Sequence, residues 1–161
     1  MLLRTGRFVT LMLSALSAGM AFCHLMEMPA RLRYAPALWS RITNAEGTYR
    51  LFGPPVGASI EGGALISALA LSFFARKRRF ALAPTLVGAC CLAVAQLAWW
   101  LFVFPANSRM ADWTPESLPE DFTEVRDRWE YTHAARAVLQ IVGLGSLVLS
   151  ILAEPSGEYE G

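Results

Sequence analysis

Charged residues are scarce in this sequence. Asp, Glu, Lys and Arg make up 17% of its 161 residues, whereas hydrophobic residues make up 55%. The formal net charge is only +1, so the composition lacks the excess of basic residues typical of nucleic-acid-binding proteins, and we expect no nucleic-acid partner. The length is that of one domain, and we predict a single domain over residues 1–161.

Cysteine is rarer still. Cys23, Cys90 and Cys91 are an odd number that includes an adjacent pair, and all three lie within apolar segments. This pattern excludes a disulfide framework, and we interpret the three as small apolar residues. The sequence also lacks a dinucleotide-binding glycine motif, a P-loop and a haem-attachment motif. We therefore predict no organic cofactor.

Long apolar segments are what the sequence has in abundance. Four of them, at about residues 8–28, 56–75, 80–104 and 133–153, are nearly free of charge. About 20 apolar residues cross a bilayer as a helix, and the middle of each segment is apolar all round, unlike the helices of a soluble bundle. We predict an all-α fold, a bundle of four transmembrane helices. We expect the first segment to be retained, because its apolar run is longer than a signal-peptide core.

The connections between these segments differ in length and charge. The turn RKRR at 76–79 is very short and abuts two predicted spans, which favours the cytoplasm for that side. Both termini would then be cytoplasmic, in a bacterial inner membrane. The connection at 105–133 is long and acidic and carries helix-start signals between Thr114 and Glu120. We expect a long structured loop there, with the fourth helix starting near Pro119, outside the membrane.

Strongly polar residues within the predicted spans lie at the end of the bundle opposite RKRR. His24 and Glu61 each lie about five or six residues inside a helix end, and His133 and Arg136 lie where the fourth span begins. An ionisable group inside a membrane is costly and normally faces the bundle interior. This layer predicts a site, with an interfacial His24 and a snorkelling Arg136 as the alternatives.

Helical spacing groups the polar residues further. His24 and Glu27 share one face of the first helix, while Trp129, His133 and Arg136 form one stripe on the fourth. Because Glu27 lies nearer its helix end, it could equally be a solvated charge.

A metal site is also possible. Glu130 precedes His133 by three residues, as His24 precedes Glu27, and carboxylate-bridged bundles use such pairs. The third helix offers only Gln96, so the di-iron set is incomplete, and a mononuclear site with two histidines and a carboxylate is the other arrangement. If a metal is present, its expected ligands are His24, Glu27, Glu61 and His133.

Three motifs together resemble a known family of membrane proteins. They are H-x-x-E-x-P at 24–29, FPAN at 104–107 and RW-x-x-x-H-x-x-R at 128–136. The chain resembles the DUF1772 family, which is grouped with the anthrone oxygenases of polyketide pathways. The resemblance implies oxidation of an anthrone to an anthraquinone by molecular oxygen, without an evident organic cofactor.

Under this resemblance a base removes a proton from the benzylic CH₂ of the anthrone, and the anion reacts with oxygen. The sequence offers candidates for each role. They are His133 or His24 as the base, Arg136 and Asn107 for the enolate oxygen, Glu27 or Glu61 to orient a histidine, and Trp129 and Trp113 to stack on the hydrophobic substrate.

Two other functions fit the same residues. The chain could be a non-catalytic membrane protein that binds a small hydrophobic ligand or a partner subunit, with the polar residues as a structural network. It could also be a metal-dependent oxidoreductase. An open pocket among the polar residues would favour binding or catalysis, whereas side chains that pair off without a void would favour the structural role.

Overall fold

The computed structural model describes residues 2–45 and 56–153, and within these residues the fold is helical. Four helices are long: α1 (Leu2–Arg31), α3 (Ala58–Phe74), α4 (Arg79–Ala98) and α6 (Phe122–Leu152). Two are short: α2 (Pro36–Ser40) and α5 (Phe104–Met110). The long helices, with the turns that continue α3 and α4, are long and apolar enough to cross a membrane. The predicted all-α bundle of four transmembrane helices is confirmed.

The helices extend further than the predicted spans. α1 continues through Pro29 and ends two residues later, at Arg31. α4 passes through a π-helical turn, Trp99–Val103, into α5. Pro105 is accommodated there because it lies in the first turn of α5, where its missing N–H is not required.

The loop before the fourth long helix is therefore shorter than expected. The helical path continues to Met110, and only residues 111–121 are non-helical. Thr114 and Ser117 form an isolated bridge within this loop instead of starting a helix, and α6 begins at Phe122. At the other end of the bundle, the predicted RKRR turn is observed as a single 3₁₀ turn, Ala75–Lys77. The predicted connection before α3 includes residues 46–55, which lie outside the described residues.

Each long helix packs on two neighbours. α6 lies against α1 and α4, and α3 lies against the same two helices. Two apolar cores result. The first lies inside the bundle, and the second lies at the end that carries α2, α5 and the start of α6. The bundle core consists of Ala64, Ala68, Leu71, Ala89, Leu92 and Leu147, and the end core of Trp39, Val103, Ala106, Met110, Phe122, Val125 and Trp129.

The sequence suggested that the spans are apolar all round, but the structure shows that one of them is not. Large apolar side chains such as Phe8, Ile66 and Leu97 are exposed on the outside of the bundle, where lipid is as favourable as a protein core. On α1, by contrast, Thr10 and Ser14 are completely buried. The prediction was wrong for this helix because small hydroxyl residues scarcely lower the mean hydropathy of a span.

Glycines let α4 and α6 approach closely. A Cβ on Gly88 would lie 2.7 Å from Cγ of Leu147 and 3.0 Å from the carbonyl oxygen of Gly143. Neither the side chain nor the backbone of α6 leaves room for this atom, so the contact requires glycine.

The Gly88→Ala variant tests this close approach. Alanine favours a helix by up to about 1 kcal/mol, but overpacking typically costs about 1–3 kcal/mol, so we expect a net loss of stability. Thermal unfolding of the purified protein in detergent measures it. The matched control is Gly145→Ala, because a Cβ at Gly145 has no neighbour within 4 Å. Equal stability of the two variants would contradict the close approach.

Candidate functional site at one end of the bundle

One face of α6 carries the polar residues of the site. Trp129, His133, Arg136 and Gln140 follow one another at helical spacing, and Glu130 lies beside them. Glu130, Arg136 and Gln140 are each at least 97% buried. This face points inward because lipid provides no partner for a charged or amide group.

Arg136 connects three of the long helices. Its Nε donates to the carbonyl oxygen of Ala95 on α4 at 3.0 Å, and its Nη2 donates to a carboxylate oxygen of Glu61 on α3. The other oxygen of Glu61 accepts a bond from Nε2 of Gln140 at 3.2 Å. The guanidinium is 96% buried with its charge paired, so Arg136 lies in the interior and does not snorkel.

Arg136 also determines which nitrogen of His133 carries the proton. Nη1 of Arg136 lies 3.2 Å from Nδ1 of His133. A guanidinium group can only donate, so Nδ1 must accept. The ring proton is therefore on Nε2, and His133 presents a hydrogen-bond donor at that atom.

A second ion pair links α1 to α6. Nε and Nη2 of Arg31 donate to the two carboxylate oxygens of Glu130 at 2.8 and 2.7 Å. This is the bidentate geometry that makes arginine–carboxylate pairs strong. The indole of Trp39 donates to the same carboxylate at 2.9 Å. Arg31 also donates to Glu27 and to the carbonyl oxygen of His24, both at 2.8 Å. The side chains of Arg31 and Glu130 are 2% and 0% exposed.

The two histidines lie between these ion pairs. Nε2 of His24 is 3.7 Å from a carboxylate oxygen of Glu130. The rings of His24 and His133 are adjacent, with centroids 4.4 Å apart and planes tilted by 44°. The ring of Trp129 lies roughly edge-on to both histidines, at 4.9 and 4.4 Å. We name this set of six residues the polar cluster: His24, Arg31, Glu61, Glu130, His133 and Arg136.

The structure brings together half of the site residues predicted from the sequence. His24, Glu61, His133 and Arg136 all belong to the polar cluster. Glu27 is on its rim, with a side chain that is 58% exposed and paired with Arg31.

The other three predicted residues lie around the cluster. Trp129 borders both histidines, and its indole donates to Oδ1 of Asn107 at 2.7 Å. Asn107 thus joins the cluster through Trp129. Trp113 packs in the end core, with its ring centroid 5.6 Å from that of Phe122.

Sequence reasoning missed three contributors to the site. No role was assigned to Arg31 or Trp39, and Glu130 entered only as half of a metal-binding spacing. One signal was present: Arg31 follows Glu27 by four residues and His24 by seven, which places all three on one face of a helix.

The two carboxylates of the cluster accept hydrogen bonds from arginine, indole and amide groups. Arg31 and Trp39 bind Glu130, while Arg136 and Gln140 bind Glu61. Among the described residues no three His, Cys, Asp or Glu side chains form a group that could hold a metal ion. The metal site remains a prediction that metal analysis of the protein would test.

These observations define an integral membrane protein whose paired charges enclose two adjacent histidines. The family model described as anthrone oxygenase matches residues 52–146, more than half of the chain, and the chain belongs to this family. The resemblance inferred from the sequence is thereby confirmed. The matched region includes Glu61, Glu130, His133 and Arg136, whereas α1 with His24 precedes it. Neither the curated proteins nor the solved structures include a match.

The Glu130→Gln variant tests the buried ion pair. It removes the buried counter-ion of Arg31 and leaves only the exposed Glu27 to offset the charge, and breaking such buried pairs costs about 3–5 kcal/mol. We expect a large fall in the unfolding temperature in detergent. The control is Glu124→Gln on the same helix, since Glu124 and its partner Arg128 are both exposed and exposed pairs contribute about 0–1 kcal/mol. A Glu130→Gln protein as stable as the control would contradict the buried pairing.

Proposed function

We propose that this protein is a membrane-embedded oxygenase. Its substrate would be an anthrone or another hydrophobic polycyclic phenol, oxidised by molecular oxygen without an organic cofactor. Membership of the anthrone oxygenase family supports the reaction class. The observation that carries the proposal is the contact of His24 with His133 next to the buried guanidinium of Arg136.

The reaction balances with oxygen as the only co-substrate. A base removes one proton from the benzylic CH₂, and the negative charge moves onto the ketone oxygen of the resulting enolate. The carbanion carbon gives its electron pair to oxygen, a C–O bond forms, and the peroxide takes up a proton. Loss of water then breaks the O–O bond and leaves a second carbonyl group. One CH₂ and one O₂ thus become one C=O and one H₂O.

The geometry favours a division of roles between the histidines. Because Nδ1 of His133 accepts a bond from Arg136, His133 serves the enolate oxygen as a donor through Nε2. His24 is then the general base. Glu130 lies 3.7 Å from Nε2 of His24, too far for a hydrogen bond, but its charge would stabilise the imidazolium that forms when His24 takes up the proton.

The aromatic residues complete the proposed site. Trp129 contacts both histidines and would be the surface against which a flat polycycle packs. Asn107 positions this indole through a hydrogen bond and acts on the enolate only indirectly. A hydrophobic substrate would reach the site from the bilayer, in which it dissolves.

Oxygen consumption by the purified protein tests the reaction. We expect anthrone-dependent oxygen uptake above the rate of spontaneous anthrone oxidation, and a loss of about 100-fold or more in His24→Ala, because general bases contribute that much. His133→Ala should also be impaired, through loss of the donor. Cys23→Ala is the matched control, since Cys23 neighbours His24 in α1 but is exposed.

Two results would contradict these assignments. Full activity of both histidine variants would remove the proposed base and donor. An oxygen uptake by the wild-type protein no faster than spontaneous oxidation, for a range of anthrones, would remove the reaction itself.

A non-catalytic role is the second candidate, and the pairing of charges favours it. Arg31 with Glu130 and Arg136 with Glu61 satisfy one another without any ligand. Such a network could simply hold the helices together around a bound hydrophobic molecule or a partner subunit. Quenching of tryptophan fluorescence by an anthrone without oxygen uptake would identify a binding protein. Stoichiometric metal in active protein would identify the metal-dependent alternative.

We also propose that the protein lies in a bacterial inner membrane with both termini in the cytoplasm. The support is the basic turn, in which Arg76, Lys77 and Arg79 are exposed beside two spans. A fluorescent protein fused to the C-terminus should then fluoresce, and alkaline phosphatase inserted after Ser117 should be active. Inactive phosphatase at Ser117 together with active phosphatase at the C-terminus would reverse the orientation.

A further inference from the structure

The buried face of α1 is polar far beyond the polar cluster. Arg7, Thr10, Ser14 and Ser17 recur at the spacing of one helix face and are 5%, 0%, 0% and 1% exposed. The same spacing leads on to His24 in the cluster. The buried faces of α3 and α4 differ from this one, because they bury apolar side chains such as Ala68 and Ala89.

Two hydroxyl groups on this face lack a hydrogen-bond partner. Within the described residues, Oγ1 of Thr10 and Oγ of Ser14 are buried without one. Other buried hydroxyls of the bundle bond to carbonyl oxygens of their own helices, as in Ser72 at 2.8 Å and Thr85 and Ser150 at 2.7 Å. A dry, unpaired hydroxyl costs about 1–3 kcal/mol. The two groups on α1 are therefore the hydroxyls of this face that a bound water molecule would satisfy.

The α1–α6 contact places these hydroxyls in line with the site. Oγ of Ser17 donates to Gln140 at 2.9 Å, and Gln140 binds Glu61. Arg31 pairs with Glu130 and Ser17 with Gln140, so the two helices run antiparallel. Ser14, about one turn further along α1, then comes level with Gly143 of α6, whose own close contacts are with α4.

We propose that water molecules occupy the α1–α6 contact between Arg7 and Gln140 and connect Glu61 to the RKRR side of the membrane. Water both donates and accepts, so it satisfies adjacent hydroxyls as an apolar side chain or a lipid tail cannot. Ionisable residues inside a span commonly mark such proton paths, and Glu61 would be the ionisable group at the inner end of this one.

The proposed water path spans a substantial part of the membrane. Ten residues of helix separate Arg7 from Ser17, about 15 Å, or half of the roughly 30 Å of bilayer hydrocarbon. The polar cluster occupies the opposite half. Glu61 and Arg136 thus lie where the two halves meet, and protons would exchange with them from the side opposite the histidines. This inference does not depend on the proposed oxidation.

Water-edited solid-state NMR of the full chain in lipid bilayers tests the path. Magnetisation should pass from water to the side chains of Thr10 and Ser14 several-fold faster than to Ala68 and Ala89, which are equally buried but apolar. Transfer to Thr10 and Ser14 at the rate of the two alanines would overturn the proposal, because it would mean that both hydroxyls are dry.

A blocking variant provides the second measurement. Ser14→Val fills the path with an apolar side chain, so transfer to Ser17, which is 1% exposed, should fall several-fold. Thr85→Val is the control, because the Thr85 hydroxyl is buried on α4 and bonds to its own helix, and it should leave that rate unchanged. Unchanged transfer to Ser17 in Ser14→Val would overturn a path through Ser14. If that variant fails to fold, the wild-type transfer rates of Thr10 and Ser14, compared with those of Ala68 and Ala89, still test whether the hydroxyls contact water.

Discussion

The cost of a charge inside a membrane governs this structure. Arg136 lies within the fourth span, where a guanidinium without partners would not be tolerated. The guanidinium of Arg136 instead has three partners: Glu61 of α3, the carbonyl oxygen of Ala95 of α4, and His133 of its own helix. One side chain thereby sets the positions of three helices. The carbonyl it uses precedes the π-helical turn at Trp99–Val103, an irregularity often associated with functional sites.

A second ion pair, Arg31 with Glu130, holds α1 against α6. The two ion pairs also determine the surroundings of the histidines. Together they contribute two positive and two negative buried charges, so the interior stays close to neutral. The histidines lie between them, and each has a different neighbour: Glu130 is near His24, and Arg136 binds His133. Two identical side chains thus acquire distinct environments. This difference is what allows one to be proposed as a base and the other as a donor.

The sequence predicted the parts of the structure that depend on composition and simple periodicity. Four apolar segments predicted four spans, and the rarity of ionisable groups inside them directed attention to His24, Glu61, His133 and Arg136. The sequence could not predict which charged side chains pair with one another. Glu130 was nearest in sequence to His133, yet its partner is Arg31, 99 positions away, and only the packing of α1 on α6 brings them together.

The sequence patterns also failed to predict where the helices end and which hydroxyl residues are buried. The first and third predicted spans stop just before Pro29 and Pro105, but α1 continues through Pro29 to Arg31, and Pro105 lies in the first turn of α5, where a helix tolerates proline. Thr10, Ser14 and Ser17 looked like ordinary residues of an apolar span. Their importance appears only once they are seen to share the buried face of α1.

The most direct test of this account is a double-mutant cycle on Glu61 and Arg136. Unfolding free energies would be measured for Glu61→Gln, Arg136→Gln and the double variant, in the same detergent. If the pair holds the bundle together as described, the double variant should lose less than the sum of the single losses, by about 2–3 kcal/mol. Losses that add to within about 0.5 kcal/mol would show that the two side chains act independently, and that Arg136 does not organise the site.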